Sequence, residues 1–142
     1  MTDAVRLVSP PELSGVAEYA YAAVTDLDGP PAVRLVLTAG ACPLDADGAT
    51  VAPGDVVAQA RQVMTNLERA LAAAGARLDD VARTTVYVAS DRRSDLVAAW
   101  GVVRDRFGDH RPASTLLGVA VLGYPDQMVE VEATAVVAAT SA

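Results

Sequence analysis

The chain has 142 residues, within the range of one domain, and a domain of that size buries most of the apolar surface its unfolded form exposes. Its formal charge is −7 and its 11 cationic residues, all arginine, are scattered rather than striped, so nucleic acid is not an expected partner. One cysteine (Cys42) excludes an internal disulfide, no charged stretch followed by an apolar one opens the chain, and runs such as Leu116 to Leu122 are too short to span a bilayer, so the expectations are a single cytoplasmic domain over 1–142 without membrane attachment.

Val5 to Val8 reads as a short β segment, broken by Ser9-Pro10-Pro11, and Tyr19 to Thr25 as a strand ending in the Asp26 to Pro31 turn. Val33 to Thr38 is β-rich and is punctuated by Gly40 and Pro43, and Asp45 to Asp55 has the Gly, Pro and Asp content of a loop. From Val56, apolar residues at Val56, Ala60, Val63, Met64, Leu67, Ala70, Leu71 and Ala74 mark one face of a helix. Asp55 is placed to cap it, and Gly75 can take the left-handed conformation that ends it. A strand is predicted over Val81 to Val88. A second amphipathic helix carries Leu96, Trp100, Val103 and Phe107 and is closed by Gly108. Two strands follow, an almost wholly apolar one over Thr115 to Leu122 and an alternating one over Met128 to Val137. The pattern is α+β, with two helices on one face of the sheet. Because Leu116 to Leu122 is apolar at odd and even positions alike, the other face also needs cover, and a second copy of the chain is the simplest cover.

One His and one Cys far apart cannot make a structural zinc site, and Asp45 and Asp47 lack the rest of a calcium loop, so no metal is expected. Asp109-His110 lies near Ser114 and Thr115, but adjacent Asp and His side chains usually diverge and no nucleophile elbow is present, so a solvated histidine is expected rather than a triad. Cys42 has no basic partner in view and reads as a half-buried structural thiol. No glycine-rich phosphate cradle occurs. Glu130 and Glu132 differ: they share one face of the last strand among valines that would desolvate them if that face were packed.

Taken in order, Thr38-Ala39-Gly40-Ala41-Cys42-Pro43, Gly54-Asp55 through Gln59-Ala60-Arg61-Gln62, Asn66-Leu67 to Ala74-Gly75, Thr84-Thr85-Val86-Tyr87-Val88 and Val129-Glu130-Val131-Glu132-Ala133 resemble the RidA/YjgF family over nearly the whole chain. The resemblance implies a chorismate-mutase-like α+β fold, with a mixed sheet assembled as a homotrimer around a central β-barrel and small-molecule clefts between subunits. Active members of that family hydrolyse small imines or enamines to ketones and ammonia without cofactor. Residue by residue, Tyr19 resembles the family's cleft tyrosine, Ala39 and Gly40 its backbone contact near the substrate, Glu130 the glutamate that positions or activates water, and Ser94 stands near its asparagine-bearing loop. The departure is Arg111-Pro112-Ala113-Ser114-Thr115, where the family's deaminases read Pro-Ala-Arg-Ser. Ser114 thus replaces the arginine that grips the substrate carboxylate as a bidentate pair, and Leu116 replaces a small residue of the cleft. The resemblance then implies either an imine hydrolase for a substrate other than the usual 2-imino acids or a noncatalytic binding or regulatory trimer.

Overall fold

In the computed structural model, residues 5–8, 22–24, 27, 29–30 and 32–138 are described. Strands β1 (Arg6–Val8) and β2 (Ala22–Val24) pair antiparallel as a two-stranded sheet. Then come β3 (Val33–Leu37), α1 (Val56–Ala73), β4 (Val81–Val88), α2 (Arg93–Phe107), β5 (Ala113–Gly118) and β6 (Val129–Ala138). The second sheet has the order β3-β6-β4-β5, and only the β4–β5 pair is parallel. That pair needs a crossover, which α2 supplies.

Helix α1 forms as its apolar spacing predicts. Its buried stripe includes Ala60, Val63, Met64, Leu67 and Leu71. The Asp55 carboxylate accepts from the Ala58 amide at 2.9 Å, and Gly75 follows at φ +80°. The stripe packs on Val129, Val131, Ala133 and Ala135 of β6 and on Val86 and Val88 of β4, together with Ala99, Val103 and Phe107 of α2. These residues alternate along each strand, so both helices cover one sheet face. The other face carries Glu130, Glu132 and Thr134 of β6 beside Arg83, Thr85 and Tyr87 of β4.

One predicted boundary is corrected. The apolar run to Leu122 does not continue as strand: β5 ends at Gly118, and Val121 is 76% exposed. β5 pairs with β4 alone, β4 ends at Val88 opposite Gly118, and the Val119 amide makes the last bond, 2.9 Å to the Val88 carbonyl. A strand cannot outlast its partner. Ahead of β4, Leu78–Asp80 forms a turn of 3₁₀ helix. No helix among the described residues is long and apolar enough to cross a membrane.

Candidate active site around Glu130

Past β3 the pairing with β6 is interrupted. The Thr38 amide donates to Ala133 O at 3.0 Å, and Ala41 and Val131 exchange bonds at 2.8 and 3.2 Å. Ala39 and Gly40 therefore stand opposite the single residue Glu132, which makes a β-bulge. The Thr38 hydroxyl accepts from the Ala133 amide at 2.9 Å and replaces the lost ladder bond.

The bulge turns Gly40 onto Glu130. A Cβ built at Gly40 would lie 2.8 Å from Glu130 Cγ and closer still to its carboxylate. Only glycine lets the carboxylate lie there. Two donors fix Oε1: the Cys42 thiol at 3.2 Å and Gln127 Nε2 at 3.3 Å. Gln127 is itself buried, accepting from the Tyr124 amide at 3.1 Å and donating to Val129 O at 3.1 Å. Its loop is tied to α1 by fully buried Gln59, whose Oε1 accepts from the Met128 amide at 2.7 Å and whose Nε2 donates to Asp126 O and Ala52 O at 2.9 and 3.3 Å.

Tyr87 stands directly across from Glu130 and donates its hydroxyl to Glu132 at 2.7 Å. That bond, then burial and the Glu132 charge, holds the phenol above its usual range. Burial, followed by the hydrogen bond and the charge of Glu130, pushes the Cys42 thiol up from 9.0 to about 11. The thiol is a proton holder rather than a nucleophile. Near pH 8 the folded protein should therefore expose roughly a hundredfold less thiolate than an ordinary cysteine and react with iodoacetamide correspondingly slowly. Glu130→Gln removes two of the three causes that raise the thiol, so alkylation of Cys42, read by mass spectrometry, should speed up in that variant; an unchanged rate would argue against the Cys42–Glu130 bond.

The other residues singled out from the sequence are distributed as follows. Ala39 and Gly40 form the bulge beside Glu130. Thr115 shares the open face, its hydroxyl accepting from Arg83 at 2.9 Å. Ser114 and Leu116 turn to the helix-covered side: Ser114 pairs with nearly buried Thr84 and shares a 2.6 Å hydroxyl bond with it, and Leu116 packs against the core. Within one chain, Ser114 and Glu130 thus lie on opposite faces of the sheet. Ser94 is exposed in the first turn of α2, and Tyr19 lies outside the described residues. His110 Nε2 donates to Val81 O at 2.7 Å, so it makes no triad with Ser114. Asp45 takes the amides of Asp47 and Ala49 at 3.0 Å each, the bonds of a solvated turn. The residues that sequence reasoning missed are Gln59, Gln127 and the part Cys42 plays. Gln59 carried a signal, since a glutamine on the inward face of α1 needs buried partners.

Fold and site together define a small α+β protein whose candidate centre is one carboxylate seated on a β-bulge at the open face of a helix-backed mixed sheet. The profile of the family described as "Endoribonuclease L-PSP" matches residues 13–137. A RutC family protein of Pyrococcus horikoshii is 34% identical over 102 residues, 72% of this chain and 79% of its own. A protein of Escherichia coli named 2-iminobutanoate/2-iminopropanoate deaminase is 33% identical over 106 residues, covering 72% and 80%. Among solved structures, a Rid-family protein of unknown function from Yersinia pestis superposes with a TM-score of 0.82 at 30% identity, covering 93% of this chain and 98% of that one. The chain belongs to the RidA/YjgF family.

Proposed function

We propose that the protein is a cofactor-independent hydrolase of small imines or enamines that carry no carboxylate next to the C=N carbon, working as a homotrimer in clefts formed where copies of this one-domain chain meet. The observation that carries this reading is the seat of Glu130. Two donors engage Oε1, so Oε2 is the oxygen left to take a proton from water. The water oxygen then bonds to the imine carbon while Glu130 passes the proton it took to the imine nitrogen, which gives a carbinolamine and returns the carboxylate. Glu130 next relays the hydroxyl proton to nitrogen as the C–N bond breaks, and the products are a carbonyl compound and ammonia. The name of the Escherichia coli relative supports this class of chemistry. Ser114 supports the restriction on substrate, because a hydroxyl already shared with Thr84 does not grip a carboxylate as a bidentate arginine does.

Neutral imines made in situ by an amine oxidase should be hydrolysed faster with the protein than without it, and 2-iminopropanoate from an amino-acid oxidase barely so, with semicarbazide as the trap. Glu130→Gln should lower the first rate about a hundred- to ten-thousandfold. A native protein without activity on either class would favour the noncatalytic binding trimer.

The open face also supports the assembly. Leu35, Leu37 and Leu117 on its two outer strands are 53, 70 and 43% exposed in the single chain. Light scattering should give three times the 14.6 kDa chain mass, and a single-chain mass would refute the trimer. Leu37→Asp should lower the mass, since an aspartate at the interface must be desolvated.

A further inference from the structure

Cys42 follows directly on the Ala41–Val131 bridge and lies outside the strand pairing, so the sheet does not fix where its thiol points. Helix α1 does. Asn66, within α1, commits both hydrogens of its side-chain amide to that segment, donating to the Cys42 and Leu44 carbonyls at 2.9 Å each. Its Oδ1 accepts from Gln62 at 3.1 Å and from Arg69 at 3.4 Å, so the amide is held in one orientation. The Cys42 carbonyl takes one further bond, from the Leu44 amide at 2.9 Å, which is local and adds no tie to the rest of the fold. From this clamp the thiol reaches Glu130 Oε1 at 3.2 Å, while the Gly40 carbonyl, its other acceptor in reach, is uncharged and stands farther off at 3.5 Å. Without the thiol, Oε1 keeps only the 3.3 Å bond from Gln127, and one long bond does not stop a carboxylate from turning about its own axis.

We infer that Asn66 and Cys42 are positioning residues for the hydrolysis: α1, through the Asn66 clamp, aims the Cys42 thiol at Oε1 of Glu130 and so keeps Oε2 as the oxygen that takes the proton from water. The catalytic part rests on the imine-hydrolase reading, and the aim of the thiol does not. Both residues act through the carboxylate rather than on the substrate, so their loss lowers kcat and leaves KM alone. The effect of Asn66 passes through the thiol, and once the thiol is gone the clamp has nothing left to aim. Two side chains that merely stabilised the fold would instead give independent losses that add.

The test is a double-mutant cycle in the turnover of a neutral imine, read well below the melting temperature of every variant. Cys42→Ala should lower kcat about tenfold with KM unchanged, the size of one weak hydrogen bond to a charged group, and Cys42→Ser, which keeps a donor, should recover most of the loss. Asn66→Ala should lower kcat by a similar factor in the native background but by less than about twofold in the Cys42→Ala background. Additive losses, or a Cys42→Ala variant with native kcat, would overturn the inference and leave Glu130 in its role. A second readout needs no turnover. The chain has one cysteine and therefore one S–H stretching band, in an infrared window that other protein groups leave clear. That band should lie where a hydrogen-bonded thiol absorbs in the native protein, and shift toward the free-thiol position in Glu130→Ala and Asn66→Ala alike. Both shifts in a protein that turns over no imine would support the clamp and remove the hydrolase reading. A band that Asn66→Ala leaves in place would overturn the clamp whatever the activity.

Discussion

Replacing Gly40 by alanine is expected to cut turnover of neutral imines at least about a hundredfold, with the melting temperature close to native. The new methyl group would occupy the space of the Glu130 carboxylate. What it meets is the far end of a flexible side chain rather than backbone, so the glutamate swings away at little cost to the fold. The carboxylate then loses its bonds to Cys42 and Gln127, and with them its position. Glu130→Gln loses the proton acceptor in place, whereas Gly40→Ala keeps the acceptor and misplaces it. If Gly40→Ala retained native turnover, the bulge would not be what seats the catalytic group. A large fall in melting temperature would instead mean that the bulge backbone had moved.

The contrast shows what could be read from the amino acids alone. Residues related by local periodicity were legible: α1 from Val56 with its Asp55 cap, β4 over Val81 to Val88, and the alternation that puts Glu130 and Glu132 on one face. Contacts between distant segments were not. Cys42 and Glu130 are 88 positions apart and meet because Ala41 bridges Val131. Gly40 was identified through the family resemblance, yet the two-against-one count that makes the bulge exists only once β3 and β6 are paired. The length of β5 was misjudged for the same reason, since what ends it is the end of its neighbour and not its own composition. Ser114 was legible as a departure from the family, but the face it occupies follows from its pairing with Thr84.

Gln59→Leu is expected to have the largest effect on stability of any single change in the neighbourhood of the site. It keeps most of the volume but strips the partners from the Met128 amide and the Asp126 carbonyl, and leaves the Ala52 carbonyl with the Asp55 amide alone, at a position with no exposed surface. Orphaned buried groups cost about 1–3 kcal/mol each, so a loss on the order of 3 kcal/mol or more is expected. For a chain of this size that is a fall of roughly 10 °C, measurable by calorimetry or circular dichroism. The loop carrying Gln127 is released at the same time, so activity should fall at temperatures where the variant is still folded. A variant within a degree or two of native would show that water replaces the lost bonds.

The strand order β3-β6-β4-β5 also bears on how the molecule is made. β6 is the last of the described strands in the chain and lies between β3 and β4, so in this sheet β3 has no neighbour and β4 has only β5 until Val129–Ala138 has been synthesised. On the ribosome the β4-α2-β5 unit and α1 can assemble early from contacts close in sequence, while β3 waits with an unpaired edge and exposed leucines. The carboxylate, its bulge and its thiol partner come together in that final pairing step, so a nascent chain has no site until its sheet is complete.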